Sequence, residues 1–110
     1  MYELETSQGA TLLRVSGAID DSSKAAFREV LDFARLNAAG QIIVVLDDCP
    51  YFDAAGIGVL MQAHNAWGTR LSVSLPGAGI VRRVFAVTGV DRVFNVKDSI
   101  VAPMPALVLS

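Results

Sequence analysis

Five consecutive apolar residues, Ile42-Ile43-Val44-Val45-Leu46, constrain this chain more than any other feature. A strand with one wet face alternates apolar and polar side chains. This run does not, so it belongs at the centre of a sheet with both faces covered. The strand, read from Gln41 to Leu46, runs into the short turn Asp47-Asp48-Cys49-Pro50-Tyr51-Phe52. Asp53 then opens an apolar helix, because its carboxylate can accept from the unpaired N–H groups of a first helical turn.

The segments on either side extend this into an α/β pattern. Tyr2 to Thr6 and Thr11 to Gly17 read as strands around the hairpin-like break Ser7-Gln8-Gly9-Ala10. Gly17-Ala18-Ile19-Asp20 leaves the sheet, and Asp21, Ser22 or Ser23 can cap a helix running to about Leu36. In that helix Phe27, Val30, Leu31 and Ala34 form one core-facing stripe, and Arg28 is expected to pair with Asp32 four residues on. Asn37-Ala38-Ala39-Gly40 supplies its stop. The helix after Asp53 carries Ile57, Leu60, Met61 and His64 at core spacing and ends at Gly68-Thr69. Arg70 to Leu75 alternates as a strand with one polar face. Pro76-Gly77 leads into a third helix with Val81, Val84, Phe85 and Thr88 on one face and Gly89 as its stop. Val90 to Val96 is expected to form a last short strand, and Pro103 and Pro105 forbid a regular helix through that pair. The order ββαβαβα(β) predicts a single α/β domain over residues 1–110, with a mixed central sheet of four or five strands and about four α-helices.

Composition narrows the function classes. At 110 residues the chain has room for one core, and 53% apolar with 18% charged residues argues against disorder. Net charge is −2, and the longest basic run is Arg82-Arg83, so a nucleic-acid groove is not expected. The longest wholly apolar run is far too short to enter a bilayer. The opening Met-Tyr-Glu-Leu-Glu is no signal peptide, and the expected location is the cytoplasm. The lone Cys49 has no disulfide partner. One histidine and one cysteine do not make a zinc site, and the Asp47, Asp48, Asp53 group reads as a solvated acidic turn rather than a magnesium site. Gly56-x-Gly58 and Gly77-x-Gly79 lack the further residues of a phosphate cradle. With no nucleophile–base pair, metal cluster or cofactor motif, the reading is a non-enzymatic domain without metal or cofactor. No residue pattern specifies an oligomeric state.

Four stretches carry a family resemblance: Gly17-Ala18-Ile19-Asp20, Val45-Leu46-Asp47, Phe52-Asp53-Ala54-Ala55-Gly56-Ile57-Gly58-Val59-Leu60, and Val84-Phe85-Ala86-Val87-Thr88-Gly89-Val90. In order and spacing they resemble the STAS domains of anti-sigma factor antagonists. The resemblance implies a protein that docks on an anti-sigma factor, usually a small serine kinase, and frees the sigma factor it holds. Asp20 and Asp53 match acidic positions near the docking site, and the residues implied for partner binding are these two with Ala54, Ala55, Gly56, Ile57 and Gly58. The family signature reads Asp-Ser-Ser-Gly, its first serine being phosphorylated. Here Ala54 takes the phosphoacceptor position, followed by Ala55. The family also suggests two alternatives: an accessory subunit of a lipid- or anion-transport assembly, and a ligand-sensing module.

The residue types suit a switchable surface. The residue after a helix cap stands at an exposed tip, where a phosphate would bring about −1.5 to −2 charges. The helix dipole would favour that charge and neighbouring acids would oppose it. Alanine lacks the hydroxyl, which implies an antagonist that docks constitutively or is regulated by abundance, the rival being a degenerate copy whose docking has decayed or moved to another partner. Gly56 and Gly58 each cost about 1 kcal/mol inside a helix. Either another chain approaches the first turn closely, or the helix packs tightly on its own sheet; the second is the commoner reason. His64 reads as a partly buried core residue, Cys49 as an inert thiol, and Trp67 as core or rim.

Overall fold

The computed structural model describes residues 1–38 and 40–98. Ala39 of the expected helix stop, and Pro103 and Pro105, lie outside the described residues. Five strands form one sheet in sequence order: β1 (Tyr2–Ser7), β2 (Ala10–Val15), β3 (Ile42–Val45), β4 (Leu71–Leu75) and β5 (Asn95–Asp98). β1 and β2 are an antiparallel hairpin, and β2 to β5 run parallel. Gln8 and Gly9 both take positive φ (51° and 81°) at the hairpin tip, the conformation that matches the twist of the two strands.

Three α-helices make the crossovers among the described residues: α1 (Lys24–Asn37), α2 (Ala54–Trp67) and α3 (Ile80–Thr88). The expectation of about four becomes three helices with two short 3₁₀ turns, Gly68–Arg70 and Val90–Arg92. Because each parallel strand pairs with the next in sequence and crossovers share one hand, the helices collect on one face of the sheet. Leu13, Val15, Val44, Leu46, Val73 and Leu75 meet them there with Phe27, Leu31, Leu60 and Phe85 in a single core. Phe52 sits at its centre, edge-on to Phe27 and tilted against Phe85.

The opposite face explains the alternation of β4. Ser72 and Ser74 are its polar side chains, yet both are wholly buried. They are satisfied locally: Ser72 Oγ donates to Gln41 Oε1 (3.3 Å) and accepts from Asn95 Nδ2 (3.1 Å), while Ser74 Oγ donates to Asp47 Oδ1 (3.0 Å). Leu12 and Val45, in adjoining strands, are buried on the same side.

Three local expectations are corrected. The strand expected over Val90 to Val96 is instead a 3₁₀ turn followed by β5 at Asn95–Asp98. Gly89, left-handed at φ 78°, turns the chain sharply at the end of α3. The N–H groups of Arg92 and Val93 then bond back to Gly89 and Val90. The buried stripe of α2 is Gly56, Val59, Leu60, Ala63 and Trp67, with Ile57 and Met61 only half-buried at its border and His64 half-buried as expected. Arg28 and Asp32 form no ion pair, the described salt bridges being Arg14–Glu5 and Lys24–Asp21.

Candidate functional site

The loops that follow β2 and β3 leave the carboxyl ends of adjacent strands and are zipped together beyond the sheet. Ile19 and Phe52 make an isolated parallel bridge. The Ile19 N–H donates to the Tyr51 carbonyl at 2.8 Å, and the Asp53 N–H to the Ile19 carbonyl at 3.3 Å. Ile19 and Phe52 both point into the core with about 1% exposure or less, so their successors, Asp20 and Asp53, emerge side by side at one pole.

Asp53 is the N-cap of α2. Its backbone is extended (φ −121°), and its Oδ1 accepts from the Ala55 N–H at 3.0 Å, while its carbonyl accepts the first helical bond from Ile57. Ala54 follows directly and is exposed at the helix tip. Ala55 and Ile57 are half-buried. The two glycines differ: a Cβ on Gly56 would lie 2.7 Å from Phe52 Cζ and 2.8 Å from Ile19 Cγ2, whereas one on Gly58 would meet nothing within 4 Å. Gly56 lets the helix seat on the bridge, and Gly58 leaves a bare stretch of exposed helix.

Asp20 holds the neighbouring loop. Its Oδ1 accepts from the Ser22 hydroxyl (2.6 Å), the Ser22 N–H (2.9 Å) and the Ser23 N–H (3.2 Å). The Ser22 hydroxyl, with the backbone donors behind it, holds the Asp20 carboxyl below its ordinary pKa. Of the three expected caps, Ser23 occupies the N-cap position of α1, but its hydroxyl turns back to donate to the Ala18 carbonyl and makes no bond to the helix.

Tyr51 belongs to the same pole and was not among the residues singled out from sequence. It is exposed beside the two acids, and the Asp53 charge, more than that of Asp20, raises its phenol pKa. The available signal is parity: with Phe52 inward, its extended neighbour faces out. Cys49 is buried, its thiol donates to the Tyr51 carbonyl at 3.1 Å, and burial pushes its pKa up, the opposite of an activated thiolate. Asp47 is engaged with Ser74, away from Asp53. Among the described residues no His, Cys, Asp and Glu cluster has the make-up of a metal site, and no helix is long and apolar enough to cross a membrane.

This pole gathers two carboxylates, a phenol and an exposed, capped helix tip. The fold is shared with solved structures. An anti-sigma factor antagonist from Mycobacterium paratuberculosis is 19% identical and superposes with a TM-score of 0.83 over 96% of this chain and 92% of its own. The anti-sigma factor antagonist SpoIIAA in its unphosphorylated form is 16% identical, with a TM-score of 0.65 over 100% of this chain and 99% of its own. The Bacillus cell fate determinant SpoIIAA in its phosphorylated form is 18% identical, with a TM-score of 0.64 over 98% and 99%. At these identities the likeness is one of fold. No curated protein sequence matches significantly. The STAS domain family, however, matches residues 1–102, nearly the whole length, and the chain belongs to that family.

Proposed function

We propose that this STAS domain is an anti-sigma factor antagonist that docks through the amino-terminal tip of α2, with Asp20 and Asp53 flanking the contact, and that phosphorylation at the usual position does not switch it. The supporting observation is the exposure of Ala54 at a tip held rigid by the Asp53 cap and the Ile19–Phe52 bridge. A rigid tip binds without an ordering cost, and small side chains at Ala54 and Gly58 allow close approach. The proposed partner is an anti-sigma factor of the serine-kinase type.

Calorimetry with purified anti-sigma kinases is the direct test. A 1:1 complex is expected with at least one of them, and Ala54→Asp is expected to weaken it about tenfold or more, a loss of roughly 1.4 kcal/mol or greater. Affinity unchanged by Ala54→Asp places the contact elsewhere; no complex with any such kinase removes the proposal. Ala54→Ser is expected to restore a phosphoacceptor, seen by mass spectrometry after incubation of the complex with ATP.

A further inference from the structure

A concavity lies between α1 and α2, with a volume of about 190 Å³. Leu31, Val59, Ala63 and Trp67 form its apolar wall. Arg28, Asp32 and Arg35 of α1 line it as well, with Gln62 opposite on α2.

The arginines here are unspent, unlike three others in the fold. Arg14 is paired with Glu5, Arg70 donates to the Ala38 and Gly40 carbonyls, and Arg82 donates to the Pro76 carbonyl. Arg28 and Arg35 have no hydrogen bond or ion pair among the described residues, although Asp32 stands four residues after one and three before the other. Seven residues separate the two arginines, roughly 10 Å along the helix axis. Two guanidiniums and one carboxylate leave the cavity one positive charge in excess. A guanidinium presents a planar fork that fits a carboxylate with two parallel hydrogen bonds, and it is weakly hydrated enough to work beside an apolar wall.

We infer that this cavity binds a small monoanionic carboxylate with a compact apolar body. Its carboxylate engages Arg28 or Arg35, and its body replaces water against Leu31, Val59, Ala63 and Trp67. The volume equals that of about six liquid waters, enough for one ring and its carboxylate but not for a drug-sized molecule. This site is separate from the α2 tip and does not depend on the docking proposal.

Trp67 is the only tryptophan, so its fluorescence reports the cavity. Benzoate is the probe, with benzyl alcohol as the uncharged analogue and acetate as the analogue without the apolar body. The expected result is a saturable change with benzoate at a dissociation constant on the order of 1 mM. Both analogues, and the variant Arg28→Gln/Arg35→Gln, should bind at least tenfold more weakly. Ala63→Leu, which fills the cavity without touching the arginines, should abolish the response. Amide shift changes in benzoate titrations should centre on Val59, Ala63 and Trp67. Absence of saturation, equal binding by benzyl alcohol, an undiminished response in the arginine variant, or shifts centred elsewhere would each overturn the assignment.

Discussion

Helices α1 and α2 begin at the same pole, yet their first turns are held by different forces. The start of α2 is locked by packing: Gly56 presses its backbone onto Phe52 and Ile19, and the Asp53 side chain caps the turn. The start of α1 has no side-chain cap, and its approach loop hangs on hydrogen bonds gathered by Asp20. Close packing in a core resists change strongly, because neighbouring groups have little room to give. Hydrogen bonds to a half-buried surface carboxylate respond to pH and contribute modestly to global stability. A docking surface built across both starts therefore has one rigid half and one adjustable half.

The largest effect expected from breaking this contrast is at Gly56. Gly56→Ala places a methyl carbon against a buried aromatic ring, at a cost of about 1–3 kcal/mol for overpacking, while alanine's helix propensity returns up to about 1 kcal/mol. A net loss of about 1–2 kcal/mol should lower the melting temperature by several degrees. An unchanged or raised melting temperature would mean that α2 is not seated on the bridge as described.

Asp53→Ala isolates the cap from the packing. Loss of the bond to the Ala55 N–H should cost about 1 kcal/mol in chemical denaturation. Asp53→Asn, which retains an accepting oxygen, should recover most of that stability while removing the charge. Comparing the two variants in a docking assay separates the cap from the acid as the feature a partner reads.

Gly58→Ala runs in the opposite direction. Nothing lies within 4 Å of a Cβ there, so the exchange should stabilise the domain by up to about 1 kcal/mol through helix propensity alone. Higher stability with weaker docking would show that a partner uses the bare helix surface. Higher stability with unchanged docking would leave Gly58 without a role at the interface.

These two glycines also show what a sequence can and cannot reveal about a fold. The five-residue apolar run at Ile42 was legible as the central strand because its core-facing residues are buried, although Ile43 on the other face is only half-buried. Asp53 was legible because capping is a local matter between a side chain and its own helix. The buried stripe of α2 was misassigned because its true members include Gly56 and Ala63, which carry little hydrophobic signal, while Ile57 and Met61 carry a strong one. The start of β5 was misplaced because Gly89, rather than the apolar pattern of Val90 and Val93, decides where the chain straightens. Nothing local to either loop announced the Ile19–Phe52 bridge, a pairing across 33 residues that brings Asp20 to Asp53. For the same reason Tyr51 was passed over, since its position beside both acids exists only once that bridge has formed.

The smallest expected effect tests the adjustable half of the pole. The Ser22 hydroxyl is the main group holding Asp20 below its ordinary pKa, so the ionised carboxylate is the form the folded loop favours. A depressed folded-state pKa gives a contribution that is fully present above the ordinary carboxylate value, about 3.9. It is lost as pH falls through the lower folded value. At pH 7 the loop is therefore fully held, and acidification through the lowered folded value releases it. In Ser22→Ala, the Asp20 midpoint followed by NMR should move up toward 3.9, with little change in melting temperature at neutral pH. The amide signals of residue 22 and Ser23 should then lose their native positions at a higher pH than in the unsubstituted protein, while those of Gly56 and Ile57, in the packed turn, hold theirs. An Asp20 midpoint unmoved by the substitution would show that the backbone donors alone order the loop. Simultaneous loss of both sets of signals would show that the two helix starts are one cooperative unit, which would dissolve the contrast between them.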